Sequence, residues 1–107
     1  MPDIRSDFDG QTVITTFEVN PGSAQDVLDL LTDAWDQVIR RQSGFVSGAI
    51  HLNDAHTRIA TYSQWRDRKD YQAMLRSAEM RERNRAITAL CKSFEPVMYE
   101  VQEVWRD

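Results

Sequence analysis

Side chains that can bind or ionise a small molecule are concentrated in one strand and in the helix that follows it. Residues 58–65 combine β-branched and aromatic residues at strand spacing, and Tyr71 and Met74 then recur at helical spacing. Alternate side chains of a strand share a face. A buried hydroxyl needs a hydrogen-bond partner and an indole N–H needs an acceptor, so a face that mixes them favours a pocket wall over a sealed apolar core. The residues of this face are Ile59, Thr61, Ser63 and Trp65.

Several side chains near this strand offer further chemical groups. His51 can exchange a proton near neutral pH, but His51 and His56 have no third ligand in view, which disfavours a metal site. Tyr71 brings a titratable hydroxyl to the apolar side of its helix, and Met74 is expected to line the core or an adaptable pocket. Arg85 lies in a charged run of the kind that usually forms a solvated helix face.

Composition and charge restrict the class of protein. A chain of 107 residues is long enough for one domain with one core. Its 13 basic and 17 acidic residues are interspersed and give a formal net charge of -4, so nucleic acid is not an expected partner. No signal-like amino terminus and no apolar run of about 20 residues is present, so we expect no membrane association and a cytoplasmic location. A lone Cys91 excludes an internal disulfide.

The first half of the chain predicts a strand and a long helix. Residues 12–19 are dense in β-branched residues, which favours a strand. Ser23 with Asp26 three positions later predicts a capping box at the start of a helix. An apolar stripe at helical spacing continues from there to Arg40 and Arg41, and Ser43-Gly44 ends the helix.

The second half predicts three strands and two short helices. Residues 45–52 form a strand in which Gly48 marks a close approach or a bulge, and a turn at 53–56 joins it to the antiparallel strand 58–65. Asp67 and Ser77 are expected to cap the two helices, the second carrying Ile87, Leu90 and Cys91. The last strand is predicted at residues 94–105, at a sheet edge, with Pro96 near its start.

This element order predicts an α+β, ferredoxin-like split βαβ fold with an antiparallel four-stranded sheet. Residues 1–11 are expected to form a polar N-terminal arm before a single domain at 12–107. Helices in such a fold cover one sheet face, yet apolar residues occur on both faces of the predicted strands. We therefore expect a homodimer in which two sheets pack face to face.

The order of elements and a set of short motifs resemble the antibiotic biosynthesis monooxygenase family, whose members are dimeric α+β barrels. The likeness covers nearly the whole domain. The motifs that carry it are Pro21-Gly22, Gly44-Phe45-Val46-Ser47-Gly48, Tyr62-Ser63-Gln64-Trp65 and Asp70-Tyr71.

The resemblance implies an oxidation of an aromatic, polyketide-like substrate such as an anthrone or hydroquinone. In the well-understood members that this chain is similar to, O2 is the oxidant and neither a metal nor a flavin takes part. The deprotonated substrate is electron-rich enough to reduce O2 itself. The protein must then bind a flat hydrophobic molecule, relay a proton and stabilise an oxyanion.

The resemblance also implies roles for single residues. Trp65, Tyr71 and Arg85 stand at positions that match the Trp, Tyr and Arg of those members, so they are the predicted catalytic residues. Thr61 stands where those members have an Asn, and a threonine can donate one hydrogen bond but presents no amide. The predicted substrate-binding residues are Thr61, Ser63, Met74 and His51.

Three alternatives are compatible with the same fold. Haem degradation is disfavoured, because the related haem-degrading branch has a His on the helix after the Trp and residues 67–76 contain none. A non-catalytic dimeric barrel that binds a hydrophobic small molecule is suggested by Thr61, and a polyketide cyclase or isomerase would need no O2. An enclosed cavity with polar groups near Trp65 favours an enzyme, and a collapsed apolar one favours the binding protein.

Overall fold

The computed structural model describes residues 9–105. Residues 1–8 of the predicted N-terminal arm lie outside this part of the chain, and Gln11 already belongs to the first strand. Between residues 9 and 105, no helix combines the length and the apolar character needed to cross a lipid bilayer.

The described residues form four strands and three α-helices in the predicted order. The second and third strands have the predicted bounds. The strands are β1 (Gln11–Val19), β2 (Phe45–Leu52), β3 (Arg58–Trp65) and β4 (Cys91–Tyr99), and the helices are α1 (Ala24–Gln37), α2 (Arg68–Arg76) and α3 (Ala78–Thr88), with a short 3₁₀ helix at Ile39–Arg41.

The strands form one antiparallel sheet in the order β2-β3-β1-β4. This is the predicted α+β, ferredoxin-like arrangement, and β4 is at an edge as expected. The core lies between the three helices and one face of the sheet, where Val13, Phe17 and Ile59 meet Val27 and Ala34 of α1 with almost no exposure. On the opposite face, the open face, Ile14 pairs with Tyr62 and Val97, and Thr12 pairs with Gln64 and Tyr99. None of the three helices formed by the described residues covers this face.

Both ends of α1 differ from the prediction. Ser23 has a helical backbone (φ -100°, ψ 0°) and its side chain makes no capping hydrogen bond, because a capping residue needs an extended backbone to reach back to the first turn. The α-helix stops at Gln37, and Val38 (φ -124°, ψ -60°) leaves the helical region before the 3₁₀ helix. This turn lets both Val38 and Ile39 be buried. Both residues are β-branched, which slightly lowers their helix propensity.

The last strand begins earlier and ends earlier than predicted. Cys91 is the first residue of β4 and not part of a helix, since α3 ends at Thr88. At the other end Tyr99 pairs with Thr12, near the start of β1, so the neighbouring strand offers little more backbone with which residues 100–105 could pair. Pro96 is consequently in the middle of β4, which an edge strand tolerates because one side of it needs no hydrogen bonds.

Candidate functional site

A small cavity of about 40 Å³ lies between the helix-facing side of the sheet and the helices. Aromatic and aliphatic side chains form most of its wall, and polar residues of the sheet and of the helices also line it. The predicted site residues that line it are Thr61, Ser63, Trp65, Tyr71 and Met74. The polar residues Thr15 and Asn84, which sequence reasoning did not single out, line it as well.

The alternation of β3 places three of these side chains under the helices. Thr61, Ser63 and Trp65 are at most 7% exposed, as expected for residues two positions apart on a covered face. The next element is fixed by Asp67, whose Oδ1 accepts a hydrogen bond of 3.0 Å from the Asp70 backbone N–H. This cap sets the start of α2, so that its inward face brings Tyr71 to the cavity.

Trp65 forms a flat wall of the cavity and is completely buried. Its Nε1–H donates a hydrogen bond of 3.0 Å to Ser63 Oγ. The ring packs nearly edge-on against Phe45 and Tyr71, with centroid distances of 5.5 and 5.7 Å. Because the indole N–H already has an acceptor, Trp65 contributes shape and aromatic surface here, and the hydrogen-bond donors for a ligand must come from other side chains.

The same contacts explain why the Gly-Phe, Trp and Asp-Tyr motifs occur together. A Cβ on Gly44 would overlap the side chain of Asp70, and the Gly44 carbonyl accepts a hydrogen bond of 2.8 Å from the Arg66 backbone N–H. Phe45 follows Gly44 and Tyr71 follows Asp70, and both rings pack against the ring of Trp65. The motif residues thus form one contact cluster that fixes the cavity wall.

Two threonines lie opposite each other in the β1–β3 pair, on the side of the sheet that the helices cover. Thr15 and Thr61 are directly opposite in the sheet register and both are 7% exposed. Within residues 9–105 neither side chain makes a hydrogen bond. Both residues line the cavity, and each carries a hydroxyl that can bond a polar atom of a ligand.

Tyr71 adds a phenolic hydroxyl to the wall. Its side chain is 5% exposed, and this burial raises the pKa of the phenol above its ordinary value of about 10. Near neutral pH the hydroxyl is therefore protonated. Tyr71 can donate a hydrogen bond or a proton, but it cannot serve as a phenolate base.

Asn84 reaches the cavity from α3, next to the Arg85 that the family pattern indicates. It is half-buried and follows the buried Met80 by four positions and precedes the buried Ile87 by three. Residues at this spacing share one face of a helix. The spacing of Met80 and Ile87 is thus the sequence signal that could have identified Asn84.

Two predicted residues lie away from the cavity. Arg85 is exposed, because one step along a helix turns the side chain by about 100° from the inward face that Asn84 occupies. His51 is exposed on β2 and pairs with Ala60, so its side chain is on the open face, opposite the cavity. In the part of the chain that the structure describes, no three or more His, Cys, Asp or Glu residues form a group suited to a metal ion.

Comparisons with known proteins agree with this fold. The family model for antibiotic biosynthesis monooxygenases matches residues 11–86. Tetracenomycin-F1 monooxygenase of Streptomyces glaucescens is 33% identical over 63 residues, which span 59% of this chain and only 56% of that protein.

Solved structures with low sequence identity share the fold. SnoaB, a cofactor-independent oxygenase from Streptomyces nogalater, superposes with a TM-score of 0.81 at 17% identity, over 91% of this chain and 97% of that one. A conserved protein from Methanosarcina mazei gives a TM-score of 0.78 at 15% identity, over 86% and 92% of the two chains. Since the family model covers well over half of the sequence, the chain belongs to the antibiotic biosynthesis monooxygenase family.

Proposed function

We propose that this protein is a cofactor-independent monooxygenase that uses O2 to oxidise an aromatic, polyketide-like anthrone or hydroquinone. The observation that supports the proposal is a cavity walled by Trp65 and lined also by Thr15, Thr61 and Tyr71, whose side chains carry hydroxyl groups. Polar groups that converge beside a flat aromatic wall suit a planar substrate with an ionisable oxygen. The named oxygenases among the similar proteins support the same reaction class.

The reaction is balanced without any further reductant. For an anthrone, a C–H proton leaves and the resulting enolate transfers one electron to O2. The substrate radical and superoxide combine to form a C–O bond, and protonation gives a hydroperoxide. Loss of the second C–H proton with cleavage of the O–O bond releases water and leaves a carbonyl, so a CH2 group and O2 become C=O and H2O.

The protein's part in this reaction is to stabilise charge on the substrate oxygen. The enolate oxygen is more negative than the oxygen of the neutral substrate, so a fixed hydrogen-bond donor stabilises the anion more strongly. Thr61 and Tyr71 provide such donors from the sheet and from α2. One well-placed donor of this kind contributes about 3 kcal/mol to lowering the barrier.

Substrate entry requires the cavity to open. Pockets for drug-sized ligands have volumes of about 300–1,000 Å³, and the cavity here measures about 40 Å³. Met74 and Met80 form part of its wall, and unbranched methionine side chains rearrange at low cost. Phe94, 36% exposed on the edge strand β4, forms the part of the wall nearest solvent and is the expected entry side.

We further propose that the protein is a homodimer and acts in the cytoplasm. None of the described helices covers the open face, and its Val97 and Tyr99 are 37% and 47% exposed. A second copy of the sheet would remove this apolar surface from water. Arg85 and His51, which lie outside the cavity of one chain, remain predicted site residues within this proposal.

Oxygen uptake by metal-free and flavin-free protein tests the proposed activity. A panel of anthrones and hydroquinones is supplied, and quinone absorbance is recorded together with dissolved O2. We expect one O2 consumed for each anthrone converted to its quinone, at a rate well above the uncatalysed reaction. Trp65→Phe should lower the rate strongly, because it reduces the area of the flat wall and removes the hydrogen bond to Ser63.

Thr61→Val provides a sharper test because it preserves the shape of the side chain and removes only the hydroxyl. We expect kcat/KM to fall about 10²-fold, as for the loss of one oxyanion donor. The matched control is Thr16→Val, which makes the same change on the opposite face of the neighbouring strand. Absence of uptake above the uncatalysed rate would contradict the oxygenase proposal, and conversion that continues without O2 would indicate a cyclase or isomerase.

A further inference from the structure

The carboxamide of Asn84 is a polar group that has no hydrogen-bond partner among residues 9–105. It lies on the inward side of α3, between the buried Met80 and Ile87, and it lines the cavity. Within the described part of the chain, Asn84 uses its backbone carbonyl to accept a hydrogen bond of 2.8 Å from Thr88 Oγ1, but its side chain makes no hydrogen bond.

Packing alone does not account for an asparagine at this position. The residues on either side of it on the same helix face are Met and Ile, and the cavity wall around it is mainly apolar. The amide of Asn84 keeps some contact with solvent, so a polar atom of a ligand can replace water as its hydrogen-bond partner. The amide therefore fits a site that is filled by a polar atom of a ligand.

Asn84 also has the hydrogen-bonding group that the sheet side of the cavity lacks. Thr61 and Thr15 offer hydroxyls, each with a single donor, whereas the Asn84 amide carries two N–H donors and one acceptor oxygen. The helix layer and the sheet form opposite walls of the same cavity. A planar ligand between them can thus receive hydrogen bonds from Asn84 on one side and from Thr61 on the other.

We propose that Asn84 binds the ionised oxygen of the aromatic substrate and so supplies the amide that is missing at position 61. This inference rests on the proposed function for the identity of the substrate class. The amide N–H groups are expected to stabilise a phenolate or enolate oxygen more than the corresponding neutral oxygen, because a hydrogen bond to a charged acceptor is the stronger one.

The test uses a hydroxyanthraquinone, which has the same flat ring system and is already oxidised. Its absorbance changes when its phenol ionises, so the pKa of the bound probe can be measured without turnover and without O2. Asn84→Leu should raise the pKa of the bound probe by about one unit relative to wild type, which corresponds to about tenfold weaker binding of the ionised probe relative to the neutral one. Asn84→Asp should raise it further, because a carboxylate repels the phenolate.

Two additional variants make the result specific. Arg81→Gln changes an exposed side chain on the same helix and should leave the pKa of the bound probe unchanged. Asn84→Gln keeps the amide and should restore part of the wild-type value. An unchanged probe pKa in Asn84→Leu would overturn the inference, as would failure of the wild-type protein to bind the probe.

The two proposals can fail separately. Oxygen uptake by wild type with no effect of Asn84→Leu on the probe pKa or on kcat would sustain the monooxygenase and reject the role of Asn84. A probe pKa that depends on Asn84, without oxygen uptake for any substrate in the panel, would sustain the ligand contact and reject the oxygenase.

Discussion

Hydroxyl and amide groups provide most of the polar surface of this cavity. Thr15, Thr61, Ser63 and Asn84 are all uncharged, and Ser63 is engaged as the acceptor of the Trp65 indole N–H. Such groups stabilise a negative oxygen by donating hydrogen bonds, but none of them accepts a proton readily near neutral pH. A site of this kind suits a substrate whose own acidity generates the reactive anion.

Burial of Tyr71 gives a prediction on stability. Its pKa is raised in the folded protein, so above pH 10 the unfolded chain loses the phenolic proton while the folded chain keeps it. The free energy of unfolding should therefore fall as the pH rises from about 10 toward the folded-state pKa, and Tyr71 contributes no pH dependence below that range. Urea unfolding of wild type and Tyr71→Phe across this range should show a smaller loss of stability in the variant.

Tyr99→Phe is the matched control for that measurement. Tyr99 is 47% exposed, so removal of its hydroxyl should leave the alkaline loss of stability as in wild type. Equal pH dependence in wild type and Tyr71→Phe would show that burial of Tyr71 does not hold its proton.

At the level of elements, the sequence predicts best where local pattern and tertiary contacts agree. The bounds of β2 and β3 match the prediction, because alternating β-branched and aromatic residues end at turn-forming residues such as Asn53. Asp67 and Ser77 cap α2 and α3 as predicted, with Ser77 Oγ accepting from the Met80 backbone N–H at 3.2 Å.

Other features depend on partners that are distant in the sequence. The end of β4 follows from where β1 begins, and the break in α1 follows from the burial of both Val38 and Ile39. The sequence predicted either a close approach or a bulge at Gly48. The close approach is confirmed, and the irregularity in the β2–β3 pairing is between Phe45 and Ser47. Alternation along β3 was sufficient to predict that Thr61 lines a pocket. To predict the same for Asn84, one must know which face of α3 is covered.

The close approach at Gly48 predicts that β2 tolerates no side chain there. A Cβ would overlap the Trp35 ring and lie 2.8 Å from the Tyr62 carbonyl oxygen. Gly48→Ala gains about 0.4–1 kcal/mol from a less flexible unfolded chain, but overpacking costs about 1–3 kcal/mol. We expect net destabilisation in urea unfolding, together with a change in fluorescence as Trp35 moves.

A second substitution separates the ring contact from the backbone contact. Trp35→Phe removes the ring atoms that the new Cβ would overlap, so Gly48→Ala should cost less in that background than in wild type. Additive effects of the two substitutions would show that the Trp35 ring does not limit the space at Gly48.

For the whole molecule, the sheet has two faces of different character. The helix-facing side holds the core and the cavity, whereas the open face combines exposed apolar residues with a buried polar cluster. In that cluster Ser47 Oγ donates to Gln64 Oε1 at 3.3 Å and Gln64 Nε2 donates to Thr12 Oγ1 at 3.5 Å. Gln64 is only 1% exposed, so the centre of the open face is already well packed, and Val97 and Tyr99 expose apolar surface at the β4 edge of that face.

The exposed apolar residues of β4 predict that substitution at Val97 weakens a homodimer. Val97 pairs with Ile14 on the open face and is 37% exposed. Removing such a side chain from water contributes about 1.5–3 kcal/mol. Val97→Lys should therefore raise the dimer dissociation constant about tenfold or more. The control Ala73→Lys adds the same charge on the helix side and should have no effect. Sedimentation equilibrium over a range of protein concentrations measures this directly. A wild-type protein that stays monomeric throughout, or equal dissociation constants for wild type and Val97→Lys, would place the dimer contact elsewhere or exclude it.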